Sequence, residues 1–261
     1  MQNVFVALIT LGVAVGLFLA MLVFLELGRR LGVRQARLLG PAARTGVGVV
    51  DSAVYAVLAL LLGFTFNGAT ARFDYRRDLI AQEVSTISTA WSRIDALPPE
   101  PQPGIRLGLQ RYVDALLASY ALPAGSPEGE RERATAMRWQ DKIWSRALAA
   151  CLAENGEKAR MLLLPALNEM FDVVERERLA RRMHPPLVIY AMLVLAALAA
   201  SLFAGYSMAN GKTRNWLYII GVAATISVVT YVIIELEHPR LGVVRVDAFD
   251  QALKELRATM N

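Results

Sequence analysis

Four long apolar stretches constrain the fold of this chain more than any other feature of its 261 residues. They cover residues 4–25, 47–66, 187–206 and 216–234. Each is long enough, at about 1.5 Å per helical residue, to cross a hydrocarbon layer of about 30 Å. A bilayer offers no water to the backbone, so a single segment that crosses it must be a helix. The sequence therefore predicts four transmembrane helices.

The composition indicates a membrane protein and excludes two other classes. Hydrophobic residues make up 55% of the chain, charged residues make up 20%, and the mean hydropathy is +0.38. This apolar content excludes an intrinsically disordered chain. Cys151 is the single cysteine, which excludes a scaffold held together by disulfides.

The net charge of +5 does not indicate a nucleic-acid partner. Residues 1–46 carry five arginines against one glutamate, and Lys212 and Arg214 fall between the third and fourth apolar stretches. The positive excess therefore sits in two short connectors. A nucleic-acid site needs lysines and arginines clustered on one surface. We predict no nucleic acid among the partners.

The polar stretch between the second and third spans is predicted to be helical throughout. An apolar stripe at helical spacing begins soon after the second span, and no helix breaker separates the two. The sequence thus permits one continuous helix over about residues 47–95, which would project well out of the membrane. The stripe consists of Ile80, Val84, Ile87, Trp91 and Ile94.

Three further helices are predicted in the same polar stretch. The first covers residues 105–120. The second begins at the cap Ser126, ends at Asn155, and has a stripe of Met137, Trp144, Leu148 and Cys151. The third covers residues 158–183, where Pro165 would kink the helix or shift its start. Its stripe consists of Leu163, Leu167, Met170 and Val174.

The predicted fold is that of an all-α membrane protein with four transmembrane helices. Transmembrane helices 1 and 2 occupy residues 1–66, and helices 3 and 4 occupy residues 187–234. An extramembrane helical domain, residues 67–186, is inserted between spans two and three. Residues 235–261 form a C-terminal extramembrane segment.

Small residues recur at close-packing spacing in three of the predicted spans. Such faces let helices approach closely in a bilayer, either within one subunit or between subunits. The three sets are Gly12, Gly16 and Ala20; Ser52, Ala56, Ala59 and Gly63; and Ala196, Ala200 and Ala204.

The sequence has no pattern typical of a catalytic or metal site. His184 and His238 lie beside prolines at the ends of spans, and neither has a metal-ligand partner three or four residues after it. Phosphate-binding loops, nucleophile elbows and calcium loops are absent from the sequence. We therefore predict no metal, no cofactor and no enzymatic activity.

Two motifs resemble those of bestrophin channels. The first follows the second span, where Phe64, Asn67, Ala69, Arg72, Phe73 and Arg77 match in register. The second follows the fourth span, where Glu235, Glu237, Pro239 and Gly242 match the segment Glu-x-Glu-x-Pro-Phe-Gly. The chain is closer still to a bacterial bestrophin-like family of unknown function, and that resemblance covers nearly the whole chain.

The resemblance implies a homo-oligomer in a lipid bilayer, a pentamer in the bestrophin family, whose second helices surround a pore for inorganic ions. The family's apolar pore ladder falls on Ala56, Leu60 and Phe64. This spacing of i, i+4 and i+8 stacks the three side chains on one helix face. The alternative is that the three residues are buried inside a single subunit.

Two sets of charges are candidates for ion selection. Arg72, Arg76 and Arg77 would form a positive collar that favours anions, whereas Asp51 would favour cations. The alternative for Asp51 is an acid at a helix start that the helix dipole stabilises. Basic and apolar residues follow the second motif, where animal bestrophins have acidic ones, so we predict no calcium site.

The function predicted from the resemblance is an oligomeric ion channel in the inner membrane of a bacterium, with several spans. The alternative is a non-conducting oligomeric scaffold that presents the helical domain to a partner. Bestrophins keep the large insert in the cytosol, and we favour that orientation. The five arginines that follow the first span argue for the opposite one.

Overall fold

The computed structural model describes residues 2–39, 47–122, 125–153, 156–210, 216–237 and 247–260. Within these ranges the chain forms eight α-helices, and no residue of them belongs to a β-strand. The helices are α1 (Gln2–Leu39), α2 (Val47–Arg93), α3 (Gln102–Tyr120), α4 (Pro127–Leu152), α5 (Glu157–Arg182), α6 (Leu187–Ser207), α7 (Trp216–Glu237) and α8 (Asp247–Thr259).

The prediction of an all-α fold with four apolar spans is confirmed. The helices α1, α2, α6 and α7 are all long and apolar enough to cross a membrane. Two of them extend beyond their apolar stretches. In α1 the helix continues past the charged residues at 26–30, where Glu26 accepts hydrogen bonds from Arg29 at 3.3 Å and Arg30 at 3.0 Å. The α2 helix runs unbroken to Arg93, as the absence of a breaker predicted.

The chain divides into two compact units. The span unit consists of Met1–Phe73 and His184–Val244. The insert unit consists of Asp74–Met183 and Arg245–Asn261, so it includes α8. The α2 helix contributes its first part to the span unit and its second part to the insert unit.

Close contact between α1 and α6 organises the span unit. A Cβ atom added to Gly28 would lie 1.9 Å from the carbonyl oxygen of Leu202, and one added to Gly205 would lie 1.9 Å from that of Leu25. No side chain fits at either position, so the two backbones touch there. Neither Gly12 nor Gly16 of the regular run in α1 has a described neighbour at its Cβ position, so packing of that run between subunits stays a prediction.

The insert unit has its own apolar core, built from α2, α3, α4, α5 and α8. The helix α8 is held against α3 by two polar contacts. Arg257 donates to Asp114 at 2.7 and 3.1 Å, and Gln110 donates to the carbonyl oxygen of Met260 at 2.6 Å. The largest fully buried apolar residues of this core are Ile87, Ile94, Ile105, Leu109, Ile143, Leu163, Leu167 and Met170.

The helix α4 differs from its predicted stripe. Met137 is 60% exposed, and Trp144 and Leu148 are half-buried. Small residues lie against the core instead, because α3 and α4 approach closely: a Cβ atom on Gly108 would lie 3.0 Å from Ile143. Of the predicted stripe, only Cys151 is buried. The buried residues of α4 are Gly129, Ala136, Ile143, Ala147, Ala150 and Cys151.

Two local predictions about the insert have clear outcomes. Ser126 caps α4 as predicted, because its hydroxyl accepts a hydrogen bond from the backbone N–H of Gly129 at 3.1 Å. Pro165 does not shift the start of α5, which begins at Glu157 and continues through the proline to Arg182.

Candidate functional site

The α2 helix has one packed side within the span unit. Leu58, Thr65 and Ala69 are spaced seven and four residues apart, so they share one side of the helix. All three are buried. Leu58 packs with apolar residues of α1, α6 and α7, and Ala69 packs with Ile233 and Leu236 of α7.

The predicted pore ladder lies on the opposite side of α2. Ala56 is exposed, and Leu60 and Phe64 are 57% and 67% exposed within the single chain. Asn67 lies on the same side, seven residues after Leu60, and is also exposed. The structure thus brings the three ladder residues together on one face that the described chain leaves largely uncovered. Their role in a pore stays a prediction.

Asp51 lies on the packed side of α2, seven residues before Leu58. Its Oδ2 atom accepts a hydrogen bond from the hydroxyl of Ser207 at the end of α6. Its Oδ1 atom is buried and has no hydrogen-bond partner among the described residues. Asp51 therefore joins α2 to α6, and its part in ion selection stays a prediction.

Arg72 makes an ion pair with the buried carboxylate of Glu237 at the end of α7. The Nε and Nη2 atoms of Arg72 lie 2.8 and 2.6 Å from Glu237 Oε1. The Glu237 side chain is wholly buried, whereas that of Arg72 is 30% exposed. His184 Nδ1 lies 3.8 Å from Glu237 Oε2. Gly68 leaves room for this arrangement, because a Cβ atom there would lie 3.3 Å from Arg72 Nη1.

The other two arginines of the predicted collar lie in the insert unit. Arg76 is buried and donates to the carbonyl oxygens of Ala180 at 3.2 Å and Met183 at 2.8 Å. These carbonyls lie at the C-terminal end of α5, where a cation is favourable. Arg77 is about half-exposed, with Asp74 at 3.8 Å and Asp78 at 4.0 Å. The collar as an ion-selecting feature stays a prediction.

Of the remaining motif residues, some lie among the described residues and some do not. Phe73 packs against the cluster of Ala69 and α7, and Glu235 is buried. Pro239 and Gly242 lie outside the described residues. Among the residues that the structure describes, no group of three or more His, Cys, Asp and Glu side chains could hold a metal ion.

Sequence reasoning missed a buried polar cluster in the insert unit. Glu83 is fully buried and accepts a hydrogen bond from the hydroxyl of Tyr120 at 2.8 Å. The guanidinium of Arg181 lies 4.4 Å from the centre of the Tyr120 ring and pairs with the buried Glu177. Burial, and next the charge of Glu83, raise the pKa of Tyr120 well above its ordinary value. One feature of the sequence could have predicted this cluster: Glu83 is an acid on the apolar stripe, three residues after Ile80.

Comparison with known proteins decides the family. The family model described as Bestrophin-like domain matches residues 15–248. The chain belongs to the bestrophin-like family. The family predicted from the two motifs is therefore confirmed. No curated protein matches the chain.

Two solved structures share the bestrophin-like fold of this chain. One is a crystal structure of a mutant bacterial bestrophin homologue from Klebsiella pneumoniae, with a TM-score of 0.62 and 17% sequence identity. The match covers 93% of this chain and 98% of that one. The other is a crystal structure of a mutant membrane protein, with a TM-score of 0.57, 16% identity, and coverage of 93% of this chain and 99% of that one. The bestrophin-like family and the apolar helices make the chain a membrane protein of ion-channel type.

Proposed function

We propose that the protein conducts inorganic ions as a homo-oligomeric ring, a pentamer, with α2 of each subunit beside the central axis. One observation carries this proposal: the apolar ladder of Ala56, Leu60 and Phe64 is exposed, while the other side of α2 is packed. In a symmetric ring each ladder residue is repeated in every subunit, so the ladder becomes three successive apolar rings. Narrow apolar rings gate channels by dewetting.

The low burial of α2 leaves surface for contacts with other subunits. Asn67 is exposed on the same side as Leu60 and directly follows the apolar stretch of 47–66, so the ladder leads to a polar position at the end of the span. Of the apolar 18-residue stretch of α2, only 11% is buried within the subunit, against 22%, 28% and 33% for the corresponding stretches of the other spans. Of the four, α2 therefore has the most surface left for contacts outside the subunit.

Exposed small residues support the assembly of several copies. Ser52, Ala56, Ala59 and Gly63 of α2 are all exposed in the single chain. Gly12 and Gly16 of α1 also have open space at their Cβ positions. Small residues on helix surfaces allow close packing between helices in a bilayer, and here that packing is left for neighbouring subunits.

Purified protein in planar bilayers tests conduction. We expect Leu60→Ala and Phe64→Ala to change the unitary conductance or the open fraction, because each widens one apolar ring. Leu195→Ala is the matched control, since Leu195 is 66% exposed on α6. Reversal potentials in a KCl gradient give the sign of the permeant ion and thereby test Arg72, Arg76 and Arg77 against Asp51. Absence of current from an intact ring, or equal currents from all three variants, contradicts the channel proposal.

A non-conducting scaffold is the second candidate. It is favoured by the insert unit, which has an apolar core of its own and is therefore suited to present a folded surface to a partner. Rings that are silent in bilayers under every voltage and ion tested would select this function. For either function we place the protein in a bacterial inner membrane with the insert in the cytosol.

A further inference from the structure

An apolar groove at one end of the span unit has the dimensions and chemistry of a lipid site. Its volume is about 550 Å³, within the range of ligand pockets in proteins. The helices α1, α2 and α6 line it, and all of its described lining residues belong to the span unit. We call this space the arginine groove. Its defining residues are Leu31, Arg34 and Leu38 of α1, Val50 of α2, and Phe203 and Tyr206 of α6.

Contacts within the protein hold the α1 and α6 walls of the arginine groove. Gly28 and Leu202 both line it, at the place where the backbones of α1 and α6 touch. Farther along the same pair of helices, the hydroxyl of Tyr206 donates to Gln35 Oε1 at 2.6 Å. These two walls therefore do not need a ligand to form, as is usual for binding sites.

The arginine groove lies where the spans meet the membrane surface. The apolar stretch of α6 ends at Tyr206, and that of α2 begins three residues before Val50. At the same end of the span unit, Trp216 and Tyr218 are exposed at the start of α7. Tryptophan and tyrosine are enriched at the boundary between hydrocarbon and water. The groove thus opens beside the headgroups of the bilayer.

Arg34 lies at the depth of these headgroups. A Cβ atom added to Gly28 would lie 3.0 Å from the backbone nitrogen of Tyr206, so Gly28 is level with the end of the α6 stretch. Arg34 follows six residues later, about 9 Å along α1. The headgroup layer extends about 5–8 Å beyond the hydrocarbon on each side. Helical side chains lean towards the N-terminus, which in α1 is towards the membrane, so the guanidinium of Arg34 reaches this layer.

The apolar residues of the arginine groove suit an acyl chain. Leu31, Leu38 and Val50 are all exposed in the single chain, although each lines the groove. Contact of such side chains with water is unfavourable. An acyl chain in the groove covers them and continues into the hydrocarbon below.

The charge of the arginine groove is complementary to a phosphate. Among the described residues that line it, Arg34 is the one with a charge, and it has neither a hydrogen bond nor a carboxylate partner there. Residues 26–39 of α1 carry four arginines against one glutamate, which adds further positive charge. The acid that follows Val50, Asp51, accepts a hydrogen bond from Ser207. A phosphate is the group that an arginine binds best at this depth.

We infer that the arginine groove binds one anionic phospholipid of the surrounding bilayer in each subunit. The phosphate pairs with the guanidinium of Arg34, and one acyl chain lies along Leu31 and Phe203. A zwitterionic phospholipid has the same phosphate, but the arginines of α1 repel its cationic headgroup. The site does not depend on ion conduction, because no residue of the pore ladder lines it.

Three probes test this site on the delipidated full chain in detergent, with native mass spectrometry as the measurement. Dioleoylphosphatidylglycerol and dioleoylphosphatidylcholine share their acyl chains and phosphate and differ in net charge. Glycerol 3-phosphate has the phosphate without the chains. Phosphatidylglycerol should saturate at one lipid per subunit and bind about fivefold or more tightly than phosphatidylcholine, and glycerol 3-phosphate should not bind.

Two arginine variants assign the headgroup contact. Arg34→Gln should weaken phosphatidylglycerol about fivefold or more. Arg37→Gln is the matched control, because it removes the same charge from an exposed position of the same helix that does not line the groove. It should weaken phosphatidylglycerol less than about twofold. Both side chains are exposed, so neither change should unfold the protein.

Two tryptophan variants assign the acyl chain. Leu31→Trp fills the groove and should abolish the saturable binding of phosphatidylglycerol. Leu217→Trp is the control, since Leu217 is exposed at the same end of the span unit and does not line the groove. The same spectra count the subunits of each assembly, and we expect Leu31→Trp to leave that number unchanged.

Four outcomes would overturn the inference. The first is that phosphatidylglycerol does not saturate or binds no more tightly than phosphatidylcholine. The second is that glycerol 3-phosphate binds as tightly as the lipids, which would indicate a site for free phosphate. The third is that Arg34→Gln behaves like Arg37→Gln, or Leu31→Trp like Leu217→Trp. The fourth is that Leu31→Trp reduces the number of subunits, which would make the groove an interface between copies of the chain.

Discussion

Arg72 on α2 directs two donors, Nε and Nη2, at the same carboxylate oxygen of Glu237 on α7. The two residues are 165 positions apart in the chain, and the Glu237 side chain is wholly buried. The pair therefore holds the end of the second span against the end of the fourth. A carboxylate in such surroundings depends on its cation, since a buried charge without a partner is strongly destabilising.

Loss of Arg72 should destabilise the protein much more than loss of an exposed arginine. We expect Arg72→Ala to lower the stability by about 3 kcal/mol, because the buried carboxylate of Glu237 loses its ion pair. Arg77→Ala should change it by less than about 0.5 kcal/mol, since Arg77 is about half-exposed and its acids lie at 3.8 and 4.0 Å. Melting temperatures in detergent measure both.

A double variant separates the ion pair from general packing. Arg72→Met combined with Glu237→Met should recover most of the stability that Arg72→Ala loses, because neither charge of the pair is then left without its partner. Equal melting temperatures for Arg72→Ala and Arg77→Ala would show that the pair does not stabilise the fold.

The contact between α1 and α6 should not tolerate a single methyl group. At Gly28 and Gly205 an added Cβ atom would lie 1.9 Å from a carbonyl oxygen of the other helix. Gly28→Ala and Gly205→Ala should each cost about 1–3 kcal/mol or more, because backbone has to move. Thermal unfolding in detergent measures this loss.

Gly12→Ala is the control within the same helix as Gly28. Nothing described lies within 4 Å of a Cβ atom at Gly12, so the subunit itself should be unaffected. If α1 packs against a neighbouring subunit there, native mass spectrometry should show weaker assembly. A melting temperature for Gly205→Ala equal to that of Gly12→Ala would contradict the close contact.

The sequence predicts the elements of this fold better than it predicts their contacts. Length and apolar content identify the four spans, and the absence of a breaker correctly predicts that α2 continues to Arg93. The spacing of Ala56, Leu60 and Phe64 places them on one face. This spacing does not indicate which face of α2 is packed, because apolar residues occur on every side of the span.

Contacts between distant residues explain the remaining differences. Within the subunit α1 touches α6 at the isolated Gly28, opposite Gly205, and not at Gly12 or Gly16 of the regular run, and no pattern in the sequence marks Gly28. In α4 the large apolar Met137 is exposed, because the close approach of α3 selects small residues for the buried side. The residue pattern along one helix does not predict the surface of the helix that packs against it.

The buried hydrogen bond from Tyr120 to Glu83 should stabilise the insert unit. Tyr120→Phe removes the donor, and we expect a loss of about 1.5–3 kcal/mol because the acceptor is a buried carboxylate. Tyr75→Phe is the matched control, since Tyr75 is exposed on the same helix as Glu83. Hydrogen exchange of α3, followed by mass spectrometry, should speed up in the first variant only. Unchanged exchange in Tyr120→Phe would contradict this role.

The side of the membrane that the insert unit faces can be determined with single cysteines. The natural Cys151 is a poor reporter, because it is buried and burial raises the pKa of its thiol, although Arg160 partly opposes this. A protonated, inaccessible thiol reacts slowly with maleimide whichever side it faces. We expect wild-type protein to resist labelling even in permeabilised cells and to react only after denaturation.

In a Cys151→Ala background, Ser145→Cys places an exposed thiol on α4, and Thr213→Cys adds a thiol to the chain segment that links α6 to α7. A cytosolic insert predicts that, in intact cells, a membrane-impermeant maleimide labels Thr213→Cys and spares Ser145→Cys, whereas permeabilised cells show both labelled. Prompt labelling of Ser145→Cys in intact cells would reverse the orientation. In that case the five arginines after the first span lie on the cytosolic side, as the excess of positive charge near cytosolic span ends requires.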